Sequence, residues 1–331
     1  MPTKIILDTD IGDDIDDAFA LALAVSSPEL KLLGVTTVHG PTEKRARIAR
    51  KLLNEAGAVD VPVIPGFHGC GSEDHEPNQA SWAAQQGLRP PAQAAVDYIL
   101  QEIEQAPGEV TVVAIGALSN IAQCIETESA IVGRMSDLVI MGGSVRRGCA
   151  GASRPLAAPE CGCAALPERA SSAPSAAPER GQAAPEVEYN IGCDPAAARM
   201  VFESGIKLTV VPLDATGTLQ LPEEYIRALE SSDAALAHAV TQLLRLWQGA
   251  GAAGALWGPK PRLPVLHDPL AVAVVFDRSI GRFEPMRLEV TGDGLTVERP
   301  GGSPNAMVCL EADAGRLFNL TIGRIAGREA P

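Results

Sequence analysis

Lys4-Ile-Ile-Leu-Asp8-Thr-Asp10-Ile-Gly12-Asp13-Asp14-Ile-Asp16-Asp17-Ala-Phe-Ala-Leu-Ala-Leu-Ala24 is the stretch whose reading decides the fold. A short continuous apolar run bounded by turn residues suits a strand covered on both faces, so Ile5, Ile6 and Leu7 predict a buried strand. Gly12 permits a sharp turn, and the Ala/Leu-rich run from Ala18 predicts a helix that either Asp14 or Asp16 is placed to cap. Six carboxylates fall within the ten positions from Asp8 to Asp17. Packed that tightly they repel one another, and a bound hard cation such as Ca2+ or Mg2+, which prefers oxygen ligands, removes the repulsion. A solvated acidic loop is the plainer reading of such a cluster. Its place at the end of a buried strand keeps a metal or catalytic site equally in view, because open α/β sheets bind ligands outside the carboxyl ends of their strands.

Working outward, Leu30 to Thr37 reads as a second strand and Thr42 to Ala56 as a helix. Its Lys44, Arg45, Arg47, Arg50 and Lys51 read as a solvated basic face. Val61 to Ile64 is a short strand, and residues 66–90 form a long loop of the kind that serves as a substrate lid. Helices are expected over 92–105, from Ser119, over 195–204, twice between Pro222 and Gln248, and at His267-Asp268-Pro269; buried strands over 110–115, 137–141 and 207–211. The tail from Ile280 alternates as short strands and ends in a helix near 314–325. Strands alternating with helices at this spacing give an α/β fold, a mostly parallel doubly wound sheet flanked by helices. Residues 150–185 break the pattern: half of those 36 positions are Ala or Pro, and no apolar periodicity survives. That segment is expected to be a mobile insertion within one domain spanning residues 1–331.

The 331 residues carry a formal charge of −14, which argues against nucleic acid or an anionic membrane as a partner. The start runs from Met1 almost directly into the first strand, without an apolar stretch of signal-peptide length, and no later window could span a bilayer. The seven cysteines, at 70, 124, 149, 161, 163, 193 and 309, lack framework spacing and read as reduced thiols of a cytoplasmic protein. Cys161-Gly-Cys163 has no histidine within fifty residues on either side and is not read as a zinc site.

Several ordered motifs carry a family resemblance. Asp8-Thr-Asp10-Ile-Gly12 with Asp16-Asp17-Ala18, Gly34-Val-Thr-Thr-Val-His-Gly40, Ala117-Leu-Ser119-Asn120-Ile-Ala122 and Val265-Leu-His267-Asp268-Pro-Leu-Ala-Val-Ala273 together resemble the inosine-uridine-type nucleoside hydrolases. Met141-Gly-Gly and Glu188-Tyr-Asn190-Ile-Gly-Cys-Asp194-Pro-Ala-Ala fall between them. The resemblance implies calcium-dependent hydrolysis of the N-glycosidic bond of ribonucleosides to free base and ribose, a reaction of purine and pyrimidine salvage. Such a reaction must activate a water, hold the ribosyl ring as it gains oxocarbenium character and stabilise the departing base. Asp10, at the tip of the first strand, suits the general base and touches the metal; Asp17 suits a metal ligand. By resemblance Asp268 and the backbone carbonyl of Ser119 complete the Ca2+ ligands, and Asp16, Glu188, Asn190 and Asp268 contact the ribose hydroxyls. His267 is the candidate acid for the leaving base. A homodimer or homotetramer is expected.

Other readings stay open beside these. Asp194 reads as the cap of the helix opened by Pro195. Asp214-Ala-Thr216 either lines the pocket or merely ends a strand, His39 is read as a loop residue, and Trp247 as a core aromatic rather than a base platform. Against the family pattern, two extra residues separate Gly12 from Asp16-Asp17, so Asp13 and Asp14 are alternatives for their roles. Pro41 stands where many relatives have asparagine, and no asparagine occurs between Asn120 and Asn190. Each hydrogen bond lost that way is worth about 1 kcal/mol. Two other functions compete: a nucleoside-binding protein of the same fold without turnover, and a haloacid-dehalogenase-like phosphohydrolase using Asp8 as nucleophile.

Overall fold

The computed structural model describes residues 1–69, 71, 73–88, 94–148, 185–252 and 262–327. Its first half runs β1 (Thr3–Thr9), α1 (Asp16–Ser26), β2 (Leu30–Thr37), α2 (Thr42–Glu55), β3 (Val63–Pro65), α3 (Ala95–Gln105), β4 (Val110–Ala114), α4 (Ser119–Thr127) and β5 (Asp137–Met141). After residue 185 come α5 (Tyr189–Cys193), α6 (Pro195–Glu203), β6 (Leu208–Val211), α7 (Leu213–Thr216), α8 (Glu223–Glu230), α9 (Ala235–Ala252) and α10 (His267–Phe276). The chain ends with β7 (Gly281–Met286), β8 (Leu288–Val290), β9 (Thr296–Glu298), β10 (Ala306–Ala312) and α11 (Ala314–Ile325). Eight strands form one sheet in the order β3-β2-β1-β4-β5-β6-β10-β7, parallel except for β7 against β10. The expected mostly parallel, helix-flanked α/β sheet is what forms.

The first strand shows why both faces must be covered. Side chains alternate across a strand. Ile5 and Leu7 accordingly pack with Phe19, Leu21 and the apolar faces of α2, α9, α10 and α11, while Ile6 packs with Val112, Ile99 and Ile121 beneath α3, α4 and α6. A run apolar at every position is what two-sided burial selects. β2 and β4 lie on opposite sides of β1, so the connections leaving β1 and β4 diverge. The crevice at their carboxyl ends is the topological switch point where such sheets bind ligands.

Neither Asp14 nor Asp16 caps α1. The N-cap position is Ile15, whose side chain can accept nothing; Asp14 Oδ1 accepts the N–H of Ile15 itself (2.7 Å), and Asp16 is already the first helical residue. The Ala/Pro-rich insertion, apart from Pro185, lies outside the described residues, as do Cys161 and Cys163. Among the described residues Cys124, Cys193 and Cys309 are buried free thiols, and no helix is long and apolar enough to cross a membrane.

Candidate active site

The acidic turn after β1 folds inward rather than into solvent. Gly12 takes φ +134°, and a Cβ there would come within 2.9 Å of the Pro77 side chain, so only glycine fits the turn. Asp16 and Asp17, in the first turn of α1, are both buried, and so is Asp268 in the first turn of α10. One carboxylate oxygen from each of these three lies within 4.8 Å of the other two. Asp17 Oδ1 accepts from the hydroxyl of Thr9 (2.5 Å), and Asp16 Oδ2 from the backbone N–H of Asp268 (3.4 Å). Burial, then their mutual repulsion and that of Asp10 or Asp14, pushes all three carboxyls well above the usual range. Asp10 sits at the strand tip, its carboxyl raised by burial to about 6 although Arg45 draws it down. Gly116, in the loop after β4, leaves the room it occupies: a Cβ there would stand 3.1 Å from Asp10 Oδ1 and 3.0 Å from its backbone nitrogen.

The residue that sequence reasoning missed is Arg45. Expected on a solvated face, it is 1% exposed. Its Nε donates to the carbonyl of His39 (2.7 Å), its Nη1 to the carbonyls of Asp10 and Ile11, and its Nη2 to Asp13 Oδ2 (2.9 Å). Burial works against its charge, and Asp10, Asp13 and Asp17 more than offset that. A signal existed: positions 45, 48, 49 and 52 share one helix face, and the last three are Ile48, Ala49 and Leu52, all buried. Arg50 and Lys51 of the basic run are also engaged, Arg50 donating to the carbonyls of Val61 and Ala58, and Lys51 to that of Trp82.

Asp13 is thereby committed away from the three clustered carboxylates: it pairs with Arg45 and lies 2.8 Å from His75 Nε2. Residues 73–88, part of the expected lid, are tied onto the turn by Asn78 Nδ2 to the carbonyl of Asp13 (3.2 Å), Gln79 N to that of Gly12 (2.9 Å) and Gln79 Nε2 to that of Asp14 (2.7 Å).

The remaining residues singled out in the sequence come from other strand ends. Ser119 opens α4 and donates its hydroxyl to Asp194 Oδ2 (2.7 Å); Asp194 Oδ1 accepts from the N–H of Ala197 and caps α6 as expected. Glu188 caps α5, its carboxylate accepting the N–H groups of Asn190, Ile191 and Gly143 at 2.9–3.1 Å. Asn190 Nδ2 donates to the carbonyls of Ile115 (3.0 Å) and Met141 (3.1 Å). His267 begins α10, with Nδ1 2.8 Å from Thr216 Oγ1, and burial holds its imidazole down at about 4. Asp214 turns out to be a clamp, accepting three successive backbone N–H groups, from Val145, Arg146 and Arg147. His39 is a loop residue, but a buried one, at φ +65° with Nε2 3.7 Å from Cys193 Sγ. Trp247 lies in the core.

Asp8 has no access for nucleophilic attack. It is wholly buried, and its Oδ1 accepts from Thr36 (2.6 Å) and from Asn120 (2.7 Å), with burial raising its carboxyl to about 7. That removes the phosphohydrolase reading. The clustered trio, by contrast, offers hard oxygen donors, already desolvated and mutually repelling, which is the donor chemistry a divalent cation satisfies.

Comparison with known proteins agrees with this geometry. Residues 5–319 match the sequence model of the inosine-uridine preferring nucleoside hydrolase family. The inosine-uridine preferring nucleoside hydrolase of Leishmania major is 30% identical over 90% of this chain and 88% of that protein. The non-specific ribonucleoside hydrolase RihC of Klebsiella pneumoniae is 30% identical over 95% of each. In fold, a plant nucleoside hydrolase superposes with a TM-score of 0.78 at 24% identity, over 98% of this chain and 99% of that one. With the motifs lying in order along the matched span and their carboxylates meeting at the sheet's switch point, the chain belongs to the inosine-uridine preferring nucleoside hydrolase family and is a hydrolase of that class.

Proposed function

We propose that this enzyme hydrolyses the N-glycosidic bond of ribonucleosides, giving free base and ribose, with Ca2+ held in the carboxylate nest. The observation carrying this reading is the approach of Asp16, Asp17 and Asp268 within 4.8 Å, beside Asp10, at the end of β1. Asp10, Asp17, Asp268 and the Ser119 carbonyl are the ligands assigned to the ion, with Asp16 close enough to share that duty or to meet the sugar. A divalent cation held by these residues would supply Lewis acidity to the attacking water and positive charge beside the ribosyl ring. Asp10, ionised at neutral pH, takes the proton of the attacking water. Glu188 and Asn190, fixed by their backbone hydrogen bonds, border the ribose, and His267 meets the base as the C1′–N bond opens.

The relatives' names support ribonucleosides as the substrate class. We further read residues 1–331 as a single nucleoside hydrolase-like domain, acting as a homodimer or homotetramer in the cytoplasm; size-exclusion chromatography with light scattering tests the assembly. A panel of purine and pyrimidine nucleosides, scored by free ribose with and without EDTA and with Ca2+ restored, tests the reaction. Ribose release that EDTA abolishes and Ca2+ restores is the expected result. Tight nucleoside binding without ribose release would make this a binding protein that kept the fold.

A further inference from the structure

The imidazole of His267 is held from behind. Its Nδ1 lies 2.8 Å from the hydroxyl of Thr216, a wholly buried residue whose Oγ1 is also 3.3 Å from the carbonyl of Pro212. The short α7 that carries Thr216 is itself pinned: Leu213 N donates to the carbonyl of Gly143 (2.9 Å), and Asp214 clamps the backbone of residues 145–147. A hydroxyl has one hydrogen and two lone pairs, so Thr216 engages Nδ1 in either ring tautomer. The one ring nitrogen left to meet a ligand is Nε2.

We propose that Thr216 is a positioning residue for departure of the base: by occupying Nδ1 it fixes the His267 ring with Nε2 turned to the leaving nitrogen. The assignment rests on the hydrolase reading above. When the C1′–N bond breaks, its electron pair goes to the base nitrogen, which takes the Nε2 proton of the ring in its imidazolium form and leaves a neutral imidazole whose Nδ1–H donates to Thr216 Oγ1, as Oγ1–H does to the Pro212 carbonyl. Water forms the new C1′–O bond and gives its proton to Asp10, and solvent returns that proton to the ring, so nucleoside and water balance ribose and base. Without the Thr216 hydroxyl the ring is free to rotate, and a misplacement of about 1 Å costs on the order of a hundredfold in rate.

A good leaving group separates positioning of the base from general damage. Thr216→Val removes the hydroxyl at nearly constant volume, Thr216→Ala serves as a second variant should Val unfold the protein, and Thr216→Ser restores the hydroxyl. Each is assayed on inosine and uridine and on 4-nitrophenyl β-ribofuranoside, whose phenolate leaves without a proton, with melting curves alongside. Val or Ala is expected to lower kcat on the nucleosides about 30- to 100-fold and on the nitrophenyl riboside less than about threefold, with Ser back within about threefold of wild type. Equal losses on both kinds of substrate, or no loss on the nucleosides, overturn the assignment while leaving the hydrolase reading intact. A wild-type protein without turnover on any of the three overturns both.

Discussion

Removing the metal is expected to destabilise the folded protein, and more so as pH rises. Oxygens of Asp16, Asp17 and Asp268 lie within 4.8 Å of one another. At an effective dielectric of about 20, two unit charges at that separation repel by about 3.5 kcal/mol, and three ionised carboxylates by about 10 kcal/mol. The metal-free protein avoids that load by keeping protons, since burial and mutual repulsion hold all three carboxyls well above their ordinary range. An unfolded chain releases those protons near pH 4, the folded one only at higher pH. Between the two the folded state binds more protons, so metal-free stability falls as pH rises through that window. A cation needs the ionised carboxylates and competes with the protons, so its binding strengthens over the same range. At a hundredfold excess over its Kd it adds about 2.7 kcal/mol. At about 2–4 °C per kcal/mol for a large domain, the melting temperature rises roughly 5–10 °C. Thermal melts at pH 5 and pH 8, with EDTA or with excess Ca2+, read this directly. A shift of that size at pH 8, shrinking at pH 5, is expected. No shift at pH 8, or a larger one at pH 5, would refute the placement of the ion among these three residues.

The same contacts set further outcomes. Asp10→Ala is expected to lower kcat by about 10²- to 10⁴-fold, the span of a general base. Its metal-free melting temperature should be no lower than wild type, because Asp10 raises the cost of ionising Asp17 and Asp268; full activity would show the base to be another group. Arg45→Met strips the donor from Asp13 and from the carbonyls of Asp10, Ile11 and His39, and urea unfolding should record a loss of about 3–5 kcal/mol, with Arg45→Lys between. Gly116→Ala places a methyl 2.7 Å from Val38 Cγ1 and about 3 Å from Asp10, so kcat should drop at least about tenfold through displacement of the carboxylate. Wild-type kcat in that variant would mean that Asp10 has slack the structure does not show.

How much of the chain was legible depends on how local each signal is. β2 has the bounds the sequence predicts, Leu30 to Thr37; its second half, Gly34 to Thr37, is buried on both faces, while Lys31 stays exposed. The Asp194 cap was legible because an acidic residue directly before a proline at the helix start is a complete local device. The destination of Arg45 was not, since a charge on an otherwise basic helix looks solvated until a loop 35 positions earlier folds over it. His267 and Thr216 are 51 positions apart, and nothing in either segment announces the other. The cap of α1 was not legible, because Asp16 starts one residue inside the helix and Asp14 turns its carboxylate onto the N–H of Ile15, so neither reaches the N-cap position.

The fold itself goes part of the way toward tolerating this acidity, and the magnitudes show where it stops. Asp16 and Asp17 stand in the first turn of α1, and Asp268 in the first turn of α10, so two helix N-termini direct their partial positive charge at one cluster. Each such interaction is worth about 0.3–1 kcal/mol, up to about 2 when partly buried, against about 3.5 kcal/mol for each ionised pair at 4.8 Å. Helix dipoles alone therefore cannot keep three carboxylates ionised. Arg45 adds a fixed cation, but its guanidinium hydrogen-bonds Asp13 and three backbone carbonyls rather than the trio. It stabilises the turn that presents Asp10 and leaves the trio short of positive charge. That residual deficit is what the proposed divalent ion would fill and what protons fill without it, so Asp16 and Asp17 can stay buried beside Asp268, whereas Asp8 is held separately by Thr36 and Asn120.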